Sequence, residues 1–255
     1  MHTAAVIQAR MSSTRLPGKV MLEISGKPVL WHVANRVSKS QLIDGVIVAT
    51  TTSREDDIIE KFCNERHIPV FRGSEDDVLD RYYRCARKFN IENVVRITAD
   101  CPLHDPSVID LVIEKYYMGN YDYVSNVDPP TYPDGIDVEV FSFSVLEKAW
   151  RNASLVSERE HVTPYIRKHK DLFKAGNLEN AEDLSFHRWT LDQAEDFKLI
   201  QKIYLQFEES NVDMFYMKDI IGLLEKNPEL TSINSAIKRN EGYIKSVNGD
   251  KVTKL

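Results

Sequence analysis

The chain has 255 residues, 42% apolar and 28% charged, and a formal net charge of −6. That length suits one large α/β domain, or a domain with a substantial subdomain, and is enough to bury a real core. The acidic balance argues against a general nucleic-acid binder, so any anion binding must be local. No run approaches the roughly 18 apolar residues of a membrane span. Ala4–Ile7, the apolar stretch before Arg10, is too short for a signal-peptide core. Cys63, Cys85 and Cys101 are an odd set without CxxC spacing, which points away from a disulfide framework or zinc knuckle. Inert thiols in a reducing cytoplasm are the expectation, with no membrane and no nucleic acid as partner.

In chain order, β-branched runs alternate with amphipathic segments. AAVIQA (4–9) reads as a buried strand, followed by a basic loop and a helix over 28–40 opened by Pro28. GVIVATT (45–51) is a second strand, and 54–67 a helix with acids in its first turn, where the helix dipole favours them. A short strand (68–73), a helix (75–90) and a buried strand (93–99) come next, the last ending at Asp100. Asp105-Pro106 supplies an N-cap and first turn for a helix to about Tyr117. This β-α-β-α rhythm predicts a mostly parallel sheet covered by helices on both faces. In such sheets ligands sit beyond the carboxyl ends of the strands, where the basic loop and Asp100 both fall.

Beyond Asp122 the pattern changes. DYVSN (122–126) reads as a strand, DPPTYPDG (128–135) as a Pro-rich loop, and IDVEVFS (136–142) as a strand carrying Asp137 and Glu139 on one face. SEREHVTPYIRKH (157–169) is partly helical, SFHRWTL (185–191) a possible return to the sheet, and 194–209 a strong amphipathic helix. A helix over 217–227 leads into a polar tail expected to be loose.

The loop QARMSSTRLPGK (8–19) holds Arg10, Arg15 and Lys19 and no acid. Small residues at a strand exit offer backbone N–H groups to an anion, and the cations add charge. The spacing fails both the Walker pattern and the dinucleotide fingerprint, and a solvated loop balancing distant acids is the plain alternative.

Ala9-Arg10, Ser13-Thr14-Arg15-Leu16-Pro17-Gly18-Lys19 and Gly26-Lys27-Pro28 resemble the N-terminal signature of the cytidylyltransferases that activate acidic sugars, notably 3-deoxy-manno-octulosonate cytidylyltransferase. Gln8 stands where that family usually has proline. PDGIDVEVFS (133–142), REHVTPYI (159–166) and RWTLDQAEDF (188–197) are similar to the branch named for spore coat polysaccharide biosynthesis protein F. The likeness covers roughly 3–207 and leaves the tail outside.

The resemblance implies a three-layer, Rossmann-like nucleotidyltransferase fold with a mostly parallel central sheet and a small inserted acceptor/dimerisation subdomain. The nucleotidyltransferase domain would span 1–215, with the acceptor region at about 128–169, and a helical extension and tail 216–255. It implies transfer of CMP from CTP to a small acidic sugar by a homodimer, with Mg²⁺ held by Asp100 and Asp192. Asp192 also heads a plausible capping pattern, with Glu195 three residues on. Arg10, Arg15 and Lys19 would act on the triphosphate, with Ala9, Ser13, Ser74 and Asp80 completing the nucleotide site. Asp137, Glu139 and His161 are the acceptor candidates, against the bland reading of a solvated strand face. A phosphorylated acceptor, a glycosyltransferase using Asp137-Val138-Glu139 as a loose D-x-D, and a non-catalytic sensor are the rival readings.

Overall fold

A computed structural model describes residues 2–239 and 241–253. The strands are β1 (Thr3–Gln8), β2 (Glu23–Ile24), β3 (Lys27–Pro28), β4 (Gly45–Thr51), β5 (Val70–Gly73), β6 (Asn93–Thr98), β7 (Tyr123–Ser125), β8 (Glu139–Ser142) and β9 (Ala175–Asn177). Between and after them lie α1 (Val29–Val37), α2 (Asp57–Glu65), α3 (Val78–Lys88), α4 (Pro106–Met118), α5 (Phe143–Asn152), α6 (Val156–His161), α7 (Pro164–Lys168), α8 (Ala194–Glu209), α9 (Met217–Lys226), α10 (Pro228–Thr231) and α11 (Glu241–Asn248).

Seven strands form one sheet in the order β5-β4-β1-β6-β8-β7-β9, and β2 and β3 form a separate two-stranded ribbon. β5, β4, β1 and β6 run parallel, while β8 is antiparallel to both its neighbours. The expected mostly parallel three-layer architecture is therefore present. Period-2 alternation along β1 explains the layering. Ala5 and Ile7 face a core with α1, α4 and α8; Ala4 and Val6 face a second core with α3 and α5. The chain leaves β1 for β4 and β5 on one side and then for β6 on the other. The switch point lies between β1 and β6, and a crevice opens beyond their carboxyl ends.

Several local expectations change. Residues 136–138 are not strand: Asn126 donates to the Ile136 carbonyl and accepts from the Val138 N–H, taking the place of ladder partners. Residues 185–191 form no strand and touch the 134 loop through one bridge at Arg188. Gly135, at φ 114°, lets the two segments approach so closely that an added Cβ would lie 2.5 Å from the Thr190 nitrogen. The 157–169 segment breaks into two helices at Val162, which takes a positive φ of 71° just before Pro164.

The tail is not loose over its described part. Asp250 accepts from the Ser157 N–H and hydroxyl, Ser246 donates to Glu160, and Val252 bridges to Leu155. This lays α11 back along α6. Among the described residues no helix is long and apolar enough to cross a membrane.

Candidate active site

The loop after β1 closes on itself, with the Ser13 and Gly18 N–H groups both donating to the Met11 carbonyl. Asp56 accepts from the Met11 N–H at 2.7 Å and Glu75 from the Ser12 hydroxyl at 2.6 Å, tying the loop to α2 and the approach to α3. Gly18 takes a left-handed φ of 71°, and Lys19 opens the short turn that follows. The Lys19 side chain is thereby turned inward.

Lys19 Nζ donates to Asp100 Oδ2 at 2.6 Å and to Asp192 Oδ1 at 2.7 Å. Arg15 Nη2 lies 2.9 Å from the other oxygen of Asp192. Asp100 follows β6 directly, and the Leu191 N–H donates to its carbonyl at 2.8 Å, which fixes Asp192 beside it. Burial opposes the Lys19 charge, but the two carboxylates outweigh it and hold the ammonium above its ordinary pKa. Burial likewise opposes both carboxylate charges. Lys19 overrides it, keeping Asp100 below the usual range, and with Arg15 takes Asp192 down to about 2.

Asp192 does not cap α8. Gln193 is the cap residue, and Asp196 at the third helical position accepts from the Asp192 and Gln193 N–H groups. The fully buried Asp196 also accepts from Arg188 and Asn234. The capping role thus passes to Asp196, and the Asp192 side chain is free to face the cleft.

The cleft holds about 410 Å³ and is lined by Ala9, Arg10, Ser13, Arg15, Lys19, Asp100, Asp137, His161 and Asp192 among others. The structure brings these sequence-selected residues together. It does not bring in Ser74 or Asp80. Ser74 accepts from the Asp77 N–H, and Asp80 binds Arg84 and Trp150; both border a separate surface depression. Glu139 is also displaced. It is 5% exposed and sits under the cleft, ligated by Arg96, by the Tyr123 hydroxyl at 2.5 Å and by the Thr163 hydroxyl at 2.6 Å. A carboxylate buried so deeply needs such partners. Its effect is to hold Arg96, directly opposite it in the β6–β8 register, on the cleft wall.

Asp137 accepts from Arg239 Nη2 at 2.9 Å. Burial, with Asp134 and Glu139 nearby, overcomes Arg239 and raises its pKa to about 7. His161 meets the Tyr243 ring edge-on, with centroids 5.1 Å apart. Lys238, Glu241, Gly242 and Tyr243 complete this end of the cleft. Sequence reasoning passed over Arg81, Arg96, Asp134 and Arg188, all on the wall. The available signal was a charged residue inside an otherwise apolar stripe, in VLDRYY and in VVRIT.

Asp100 and Asp192 reach one ammonium from two sides, so both reach a single cation. Two carboxylates facing a phosphate-sized cleft match the way Mg²⁺ is held, by one or two carboxylates together with phosphates and water. Among the described residues no cluster of three or more His, Cys, Asp or Glu forms an all-protein metal cage. The three cysteines are buried, and burial pushes Cys63 and Cys85 up to about 12, leaving them as inert as expected.

Fold and cleft together define a nucleotidyltransferase: a mostly parallel sheet with a cationic loop meeting two aspartates at its carboxyl edge. The chain belongs to the cytidylyltransferase family, whose model matches residues 4–242. It is 34% identical over 239 residues to the spore coat polysaccharide biosynthesis protein SpsF of Bacillus subtilis, covering 91% of this chain and 97% of that one. It is 33% identical to the 3-deoxy-manno-octulosonate cytidylyltransferase of Trichlorobacter lovleyi over 121 residues, 47% of this chain and 46% of the relative. A solved cytidylyltransferase structure from Leptospira borgpetersenii superposes with a TM-score of 0.84 at 35% identity, covering 91% of this chain and 97% of that one. The likeness does not stop near residue 207, since the family match runs through the cleft-lining Lys238 and Gly242.

Proposed function

We propose that the protein transfers CMP from CTP to an acidic sugar of the nonulosonate or 3-deoxy-keto-acid type, with release of pyrophosphate, in surface polysaccharide biosynthesis. The carrying observation is the convergence of Lys19 and Arg15 on Asp100 and Asp192 at the carboxyl edge of the sheet. Membership of the cytidylyltransferase family supports CTP as donor. The printed names of the two curated relatives support a sugar acceptor and a polysaccharide setting.

In this reading Lys19, Arg15 and Arg10 exchange their present surroundings for triphosphate oxygens and offset the charge that builds on departing pyrophosphate. Ala9 and Ser13 bring the loop against the phosphates. Asp100 and Asp192 would hold Mg²⁺, which when bound neutralises phosphate charge. Asp137 and His161 line the acceptor's end of the cleft, with Arg96 offering a cation to its carboxylate. The sugar hydroxyl attacks the α-phosphorus in line. Positioning and electrostatics drive the step, with no dedicated general base.

The reading also takes the protein to act in the cytoplasm as a homodimer built partly on residues 128–169, an acceptor region within a 1–215 domain. Sedimentation of the pure protein tests the dimer. The function is tested by pyrophosphate release from each of the four nucleoside triphosphates, with panels of acidic and of phosphorylated sugars. Release with CTP and an acidic sugar supports the proposal. Release only with phosphorylated acceptors overturns the acceptor class, and release with neither panel overturns the reaction.

A further inference from the structure

Arg81 stands where α3 turns its apolar face to the sheet. Val78, Tyr82 and Cys85 around it are buried, and Arg81 itself is 1% exposed. A guanidinium so placed is ordinarily paired with a carboxylate. Here Nε and Nη1 are buried without a hydrogen-bond partner. The charged groups it feels include Arg10, which repels it, and Asp56 and Glu75. Those acids are engaged elsewhere: Asp56 by the Met11 and Thr51 N–H groups and the Thr51 hydroxyl, Glu75 by Ser12. Burial leaves Arg81 below the ordinary arginine pKa.

The side chain nevertheless lines the cleft, as does Gln8. Gln8 follows Ala4 and Val6 on the α3 side of the sheet, and its Oε1 is likewise buried and unpartnered. Two polar side chains on one face, both short of protein partners, mark a place where a ligand supplies them.

Resting on the cytidylyl reading above, we propose that Arg81 is a binding residue for the nucleotide base, its guanidinium kept unpaired in the free protein to receive the carbonyl and ring-nitrogen edge of the pyrimidine, with Gln8 beside it. A base is favoured over a phosphate by the company Arg81 keeps. Asp56 and Glu75 are close and would repel a phosphate, whereas a neutral acceptor edge suits a cation among two acids and one arginine. Lys19, Asp100 and Asp192 form a different charge group.

An unpaired buried cation destabilises the free protein, and a ligand that brings acceptors recovers the loss on binding. The test therefore has two signs. Full-length Arg81→Met is compared with the unaltered protein by thermal melting without ligand, and by calorimetric titration with CTP, cytidine and inorganic triphosphate. The variant is expected to melt roughly 2–4 °C higher. Its affinity for CTP should fall on the order of 10–100-fold, that for cytidine should fall in parallel, and that for inorganic triphosphate should hold.

A lower melting point, or failure to fold, makes Arg81 a structural residue and overturns the proposal. Unchanged CTP affinity also overturns it. An equal loss for inorganic triphosphate makes Arg81 a phosphate ligand and overturns the base assignment while leaving the cytidylyl reading intact. Unaltered protein that binds inorganic triphosphate but not CTP overturns both.

Discussion

Lys19 is 9% exposed and keeps its charge because two carboxylates reach it. Removing it would leave Asp100 and Asp192 facing each other without a cation between them, and each would raise the other's pKa. Lys19→Ala should lower turnover at saturating CTP on the order of 10²–10³-fold, read as pyrophosphate release. Unchanged turnover would remove Lys19 from the chemistry. Asp137 makes a second residue-scale prediction. Its folded-state pKa of about 7 lies above the ordinary 3.8, so between those values the folded protein holds a proton that the unfolded chain has released. The associated stability is full below about pH 4 and is lost as pH rises towards 7. Urea unfolding over that window should show the decline, and Asp137→Asn should flatten it; an equal slope in both proteins would assign the decline to other groups.

At the scale of elements, the start of α8 decides where Asp192 points. Asp196 collects the Asp192 and Gln193 N–H groups, two bonds from Arg188 and one from Asn234. Asp196→Ala would leave the Arg188 guanidinium without its most buried partner and untie the backbone of Asp192. A loss of about 3–5 kcal/mol is expected from urea denaturation, with reduced turnover in the fraction that remains folded. The helix over 194–209 was legible from its apolar period, but the choice of capping acid was not. Asp192-x-x-Glu195 and Gln193-x-x-Asp196 satisfy the pattern equally well, and only the contact of Asp196 with Arg188 separates them. The same limit explains residues 136–138 and 185–191. Their alternation suits a strand, yet Asn126 supplies the hydrogen bonds for one, and Gly135 brings the 134 loop against the other. Short elements such as β9 and the β2–β3 ribbon carry too few residues to show a period.

For the whole molecule, the acceptor's end of the cleft depends on chain far from the sheet. Arg239 bridges towards Asp134 and Asp137, and Tyr243 covers His161, so α11 closes a wall that the central strands leave open. Neither main core cluster includes a residue beyond 237. A chain ending at residue 237 should therefore fold and bind CTP, while its KM for the acceptor rises on the order of 10-fold or more through loss of binding shared by ground and transition states. Loss of CTP binding together with the fold would make the segment part of the core instead. By itself the sequence determined the parallel sheet, the cationic loop and the two aspartates at its edge, because alternating burial and short motifs act over a few residues. The tertiary structure alone decided that Lys19 lies between those aspartates, that Glu139 supports Arg96 from below, and that Arg81 and the C-terminal helix reach the cleft. Those facts depend on which distant segments pack together, and packing is fixed by the fold as a unit.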